Sequence, residues 1–103
     1  MATKVWTGAG ADNLASTALN WDLAAAPATG DDLNYDGAFP VTGNKNCTWD
    51  ITTAVNTINT TGYTGTITQT AACNCNSGAT KKITHNGGTW DSSGQAVNIG
   101  SGG

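Results

Sequence analysis

Residues 47–70, CTWDITTAVNTINTTGYTGTITQT, leave few folds open to this chain. Cys47, Trp49 and Ile51 alternate with Thr48 and Asp50, and Val55, Ile58 and Ile67 then recur between clusters of Thr, Asn and Gly. That is the pattern of short strands broken by tight turns, and no helical period fits it. Threonine is β-branched and stiff at χ1, so runs of it favour a pleated surface. Gly62 and Gly65 are placed to supply the positive-φ corners that abrupt turns require. The stretch reads as one complete turn of a repeating β-structure.

Composition points the same way. Glu and Arg are absent and Leu, Met and Phe are scarce, so much of what helices normally draw on is missing and an all-β fold is expected. The 103 residues suit a single compact domain with a modest core. Only 11% of the chain is charged and the formal net charge is -3, which argues against nucleic acid as a partner. Abundant Thr, Gly, Ala and Asn is the balance of surface-exposed β-proteins. The opening MATKVWTG has no basic region followed by an apolar run, and no stretch approaches membrane-spanning length, so neither a secretory leader nor a membrane partner is expected. A virion component assembled in the cytoplasm and exposed after lysis would need no leader.

Residues 1–46 differ in texture from residues 47–103 and read as a cap or lead-in, with the later segment forming the repeating part. The first segment carries Trp6, Trp21, Tyr35, Phe39, both prolines and most of the aspartates. Leu14, Thr17, Ala18 and Trp21 share one helical face with Asp12 or Asn13 as N-cap, but a loop carrying Trp21 into the core is the preferred reading. Pro27 and Gly30 mark a turn, and residues 32–39 read as an extended segment. Residues 70–99 repeat the cadence of strand, Gly turn and strand less regularly, with Val97 and Ile99 as an inward pair.

Taken in order, Trp6-Thr7-Gly8, Asn20-Trp21, Pro27, Gly30-Asp31-Asp32, Cys47-Thr48-Trp49-Asp50 and Gly62-Tyr63-Thr64-Gly65-Thr66 resemble the N-terminal capping region and first rungs of a parallel β-helix. Such folds occur in bacterial surface adhesins, autotransporter-like passengers and phage structural proteins. The resemblance implies a right-handed parallel β-solenoid with an N-terminal cap and a structural or adhesive role. Unlike those relatives, this chain stops after roughly two rungs, where about three are needed for stability. Alternation alone does not separate parallel from antiparallel pairing, so an antiparallel β-sandwich or jelly roll stays open.

Candidate sites are few. Asp32, Asn34, Asp36 and Gly37 spell the opening of a calcium loop, but Gly43 stands where the bidentate Glu belongs, and a polar strand face followed by a turn gives the same letters. No cofactor is expected beyond that calcium candidate. His85 has no partner at metal-ligand spacing, and Cys73-x-Cys75 is not a zinc knuckle. Asp31 and Asp32 are adjacent, so on a strand they point to opposite faces and do not make a catalytic pair. Cys47 with Cys73 or Cys75 is a candidate disulfide stapling neighbouring turns, the alternative being buried reduced thiols. Thr66-x-Thr68-x-Thr70 is too short a threonine array for ice binding. Trp90, beside a Gly turn, is the candidate for sugar stacking or an interface, together with Lys81 and Lys82.

The expected core is Val5, Leu33, Ile51, Val55, Ile58, Ile67, Ile83, Val97 and Ile99, with Trp6 and Trp21 plugging the cap. The expected function is non-enzymatic: a structural protein on the exterior of a virion, as capsid decoration or fibre component, stabilising the particle or mediating attachment. A bacterial surface adhesin module and a carbohydrate-binding module are the alternatives, so the expected location is a virion surface or the extracellular or cell surface. An open solenoid end needs covering, so a homo-oligomer or a capsid or filament lattice is the expected partner, with a surface glycan as a further candidate.

Overall fold

The computed structural model describes residues 2–35 and 46–100. Its strands are short: β1 (Thr3–Val5), β2 (Asp32–Asn34), β3 (Cys47–Trp49), β4 (Thr57–Asn59), β5 (Thr66–Gln69), β6 (Cys73–Cys75), β7 (Lys82–Thr84), β8 (Thr89–Asp91) and β9 (Val97–Ile99). Helix among the described residues is confined to a 3-10 turn at Ala18–Asn20. The segment before it is looped because Asp12 Oδ1 accepts the Leu14 N–H at 3.1 Å, a local bond that competes with a helical first turn.

The strands form three sheets, in the orders β1-β2-β4-β7, β3-β5-β8 and β6-β9, and every strand pairing described is parallel. An antiparallel sandwich or jelly roll is therefore not the architecture. The chain visits the sheets in turn: β4, β5 and β6 enter the first, second and third, and β7, β8 and β9 repeat the circuit one strand further along each. Parallel neighbours need a long crossover, and from β4 onward strands of the other two sheets supply it where a helix commonly would. Isolated parallel bridges from Leu14 to Thr48 and from Ala54 to Asn74 extend the second and third sheets toward the start of the chain. The first sheet stacks four strands, more than the two turns suggested by sequence, because β1 and β2 from residues 1–46 pair with β4 and β7 from residues 47–103.

Register follows a repeat that is visible once the strands are aligned. Thr57 lies opposite Asp32 and Lys82 opposite Thr57, an interval of 25 residues each time. Segments 31–35 (DDLNY), 56–60 (NTINT) and 81–85 (KKITH) thus occupy equivalent places. Side chains alternate across a strand, so the central residues Leu33, Ile58 and Ile83 all face inward. Cys47, Ile67 and Trp90 form the matching row in the second sheet, and Cys73 with Val97 and Cys75 with Ile99 form those of the third. A slip of one residue would turn each row outward, so burial fixes the register more firmly than ladders three residues long can.

The buried core contains Leu33, Val55, Ile58 and Ile67 as expected, together with Tyr35, Trp49, Tyr63 and all three cysteines. Trp6 and Trp21 are buried at the first layers, edge to face at 5.3 Å, and Tyr35 packs on both at 5.8 and 5.6 Å. Several expectations need correcting. Ile51 and Ile83 are only partly buried, packed against the core from its margin. Val5 is only half-buried, because Lys4 takes the inward place on β1 opposite Leu33. Val97 and Ile99 hold inward register yet remain 42% and 48% exposed, because no strand follows β9 in its sheet among the described residues.

Corners are set by close backbone approach. Gly62 has positive φ (81°) as its place in the turn requires, whereas Gly65 does not need it: Gly65 is buried, and its carbonyl accepts the Thr89 N–H at 3.0 Å. A Cβ on Gly88 (φ +68°) would lie 2.6 Å from that same carbonyl oxygen. Gly94 has similar φ (+79°), but its Cβ would meet nothing within 4 Å. Gly88→Ala should therefore cost more stability than Gly94→Ala in urea denaturation, the latter costing only the ~1–2 kcal/mol of a left-handed non-glycine residue. Equal losses would mean that the turn carrying Gly88 moves away freely from the layer beneath it.

Candidate functional site

The two ends of the stack differ in chemistry. At the first-strand end, Lys4 replaces the apolar residue of its inward row, and its Nζ donates to Asp31 Oδ2 and to the Ala26 carbonyl, the latter at 2.9 Å. Asp31 in turn accepts the N–H groups of Ala2 at 2.9 Å and Ala28 at 2.8 Å. Both side chains are almost fully buried, so the pair is a polar lid whose charges are matched and hydrogen-bonded to the backbone. Burial pushes the Asp31 carboxyl up, but the bonds from Lys4, Ala28 and Ala2 outweigh it and hold its pKa below the ordinary 3.8.

The last-strand end has no such lid among the described residues. Ile83 from β7, Trp90 from β8 and Val97 and Ile99 from β9 line a shallow apolar cleft, with His85 at its rim. Each is the inward residue of its strand, and β7, β8 and β9 each stand last in their sheets, so among the described residues one edge of every one of these strands is unpaired. Trp90 is held firmly. Its Nε1 donates to Gln69 Oε1 at 2.7 Å, while Gln69 Nε2 donates to the carbonyls of Ala71 (3.2 Å) and Ala96 (3.0 Å). The His85 ring meets the indole edge to face at 5.9 Å, and His85 Nδ1 shares a 2.9 Å hydrogen bond with Thr60 Oγ1.

Lys81 and Lys82 lead into β7 at this same end. Lys82 is exposed and faces outward, whereas Lys81 is half-buried at a corner with φ of 52°. Asn56 Oδ1 holds that corner by accepting the N–H groups of Thr80 and Lys81, both at 2.9 Å. The structure thus brings Trp90, Lys81 and Lys82 to one end of the molecule.

The other candidates lie elsewhere. Asp32 and Asn34 share the outward face of β2, and Asp32 Oδ1 is engaged by Asn56 Nδ2 (2.8 Å) and Thr57 Oγ1 (2.7 Å). Asp36, Gly37 and Gly43, the rest of the calcium pattern, lie outside the described residues. Among the described residues no group of three His, Cys, Asp or Glu side chains is gathered to hold a metal ion. Asp31 and Asp32 diverge, one into the lid and the other onto the sheet face. A small polar cleft lies between β2 and β4, lined by Asn34, Tyr35, Asn59 and Thr61. Thr68 stacks on Thr48 but next to Asp91, which ends the threonine row after two strands.

Cys47, Cys73 and Cys75 are free thiols and all buried. Burial pushes each up from the ordinary 9.0, Cys73 to about 12. The Tyr35 hydroxyl pairs with Cys47 Sγ at 3.3 Å, and Cys75 Sγ donates to the Asn56 carbonyl at 3.0 Å. Thiols so placed are core residues and poor nucleophiles.

Residues that the sequence pattern did not single out hold this end together: Asn56, Thr60 and Gln69, all buried polar side chains. The 25-residue recurrence of DDLNY, NTINT and KKITH is the signal that aligns Asp31, Asn56 and Lys81 at one corner and Tyr35, Thr60 and His85 at the next. No family model, curated protein or solved structure matches the chain.

Two measurements check this account. Because the folded pKa of Asp31 is lowered, its ion pair stabilises the fold above the unfolded carboxyl pKa and loses that contribution as pH falls through the folded value. Stability should therefore drop below about pH 4, and Asp31→Asn should cost roughly 3–5 kcal/mol at neutral pH while flattening that acid limb. An unchanged acid limb in the variant would assign it to other carboxylates. Native protein at pH 8 should leave all three thiols unlabelled by a thiol reagent and expose all three in urea. Rapid native labelling of any one would contradict its burial.

Proposed function

We propose that this chain is a short parallel β-solenoid with an N-terminal cap, serving as a non-enzymatic structural protein on the exterior of a virion. As a capsid decoration or fibre component it stabilises the particle or mediates attachment. The observation that carries this reading is the asymmetry of the stack: one end bears the Lys4–Asp31 lid, and the other presents Ile83, Trp90, Val97 and Ile99 with three strand edges unpaired among the described residues. A surface of that kind suits assembly, because a partner that continues the strands would bury the apolar row and pair the backbone together.

The acidic residues support a structural role. Asp22 accepts the Val5 N–H (2.9 Å), Asp50 accepts the Ser16 N–H (2.9 Å), and Asp91 accepts the Ser93 N–H (2.9 Å). With Asp12, Asp31 and Asp32 engaged as above, each described aspartate holds a turn or ties two layers. A sugar-binding reading would rest on Trp90, but the cleft around that indole is apolar except for His85 and lacks the converging hydrogen-bond groups that orient a sugar.

Antibodies raised against the chain should decorate intact virus particles from its source when followed by immunogold microscopy. Labelling of bacterial cell surfaces with bare particles would replace this reading with the adhesin one. Glycan-array binding that Trp90→Ala abolishes would replace it with the carbohydrate-binding one.

A further inference from the structure

We infer that the open end is a self-complementary interface, and that two copies of this chain close it by meeting end to end about a two-fold axis. The inference rests on the stacked-strand reading above and names the occupant of the exposed end.

The last-strand end offers three strand edges, β7, β8 and β9, around one apolar cleft. A second copy stacked in the same sense would have to present its first-strand end, where the Lys4–Asp31 pair and not an apolar row faces the last layer. A copy turned over about a two-fold presents the same apolar cleft instead. Turning it over reverses its strands, so each edge meets its partner antiparallel. With the axis through the middle of β9, that strand pairs with its own copy and β7 pairs with the other copy's β8.

The sequence of the three strands fits that arrangement position by position. Setting inward Ile83 opposite inward Trp90 of the second copy places Lys82 against Asp91 and Thr84 against Thr89. On β9, Val97 faces Ile99 and Asn98 faces Asn98, so inward apolar residues meet inward apolar residues throughout. The outward positions are matched as well. Lys82 and Asp91 are both exposed and make no ion pair among the described residues, yet they fall opposite each other across the axis, once on each side. Asn98 already donates from Nδ2 to Asn74 Oδ1 at 2.9 Å, and the second Asn98 continues that row. An isologous contact of this kind closes at two copies, whereas same-sense stacking would grow without limit.

The test uses the intact chain. Sedimentation velocity should show the mass rising from that of the 10.4 kDa monomer to twice that value and no further as concentration increases through the micromolar range. Asn98→Cys, at an exposed position on the axis, should give a disulfide-linked dimer under mild oxidation, while Lys82→Cys, which faces Asp91, should not. Lys82→Ala and Asp91→Asn should each raise the dissociation constant by about three- to tenfold, with the double variant no weaker than either single one. Asp91→Asn keeps the oxygen that accepts the Ser93 N–H. A folded chain that stays monomeric, association that continues past two copies, or cross-linking of Lys82→Cys as readily as Asn98→Cys would each overturn the two-fold interface. A circular dichroism spectrum without β-sheet would instead overturn the stacked-strand reading beneath it.

Discussion

Each layer of this protein is buried by the next, and the rest of the structure depends on that vertical cover. Its strands are mostly three residues long, too short for their hydrogen bonds to hold a sheet alone. What fixes them is the row of inward side chains: Leu33 on Ile58 on Ile83, Ile67 on Trp90, Cys73 on Val97. Burying an aliphatic side chain fully is worth about 1.5–3 kcal/mol, and each inner row gains it from both neighbours. The same chemistry that makes Ile58 and Ile67 fully buried leaves Val97 and Ile99 exposed at the last layer.

Polar residues inside the stack do a different task. Asn56, Thr60 and Gln69 sit where corners of successive layers meet, and each bonds groups belonging to the layer above. Asn56 also reaches the layer below through Asp32. Because a buried amide or hydroxyl without partners costs more than a satisfied one gains, these bonds specify which corner lies over which. Apolar rows forbid a slip of one residue but would tolerate a slip of two, which keeps each side chain on its face; the corner residues do not.

The two ends show what vertical cover demands when it runs out. At the first strand, a buried lysine and aspartate bonded to each other and to the backbone close the stack, with the Trp6, Trp21 and Tyr35 cluster in its first layers. At the last strand the inward row stays apolar, and Trp90 is fixed in place by Gln69 from beneath. The thiols and carboxylates are absorbed into this framework: buried cysteines fill core positions, and the described aspartates close turns or tie layers together. Their positions carry structure, and the end left uncovered among the described residues is the apolar one.

Much of this was legible in the sequence. Alternation in residues 47–70, β-branched threonines and the absence of Glu and Arg determine short strands and an all-β chain, because those side chains suit a pleated, half-buried surface and not a helix. They also mark Leu33, Val55, Ile58 and Ile67 as core, and Trp90 with Lys81 and Lys82 as neighbours near one end. Only the tertiary structure decided that the pairing is parallel, since alternation of period two is the same for either direction. It alone decided that Lys4 faces inward, because a lysine enters a core only when a partner such as Asp31, 27 residues away, is brought to meet it. It decided, too, that Val97 and Ile99 are inward and yet exposed: a sequence records which face a residue belongs to, but whether that face is covered depends on what lies above it in space.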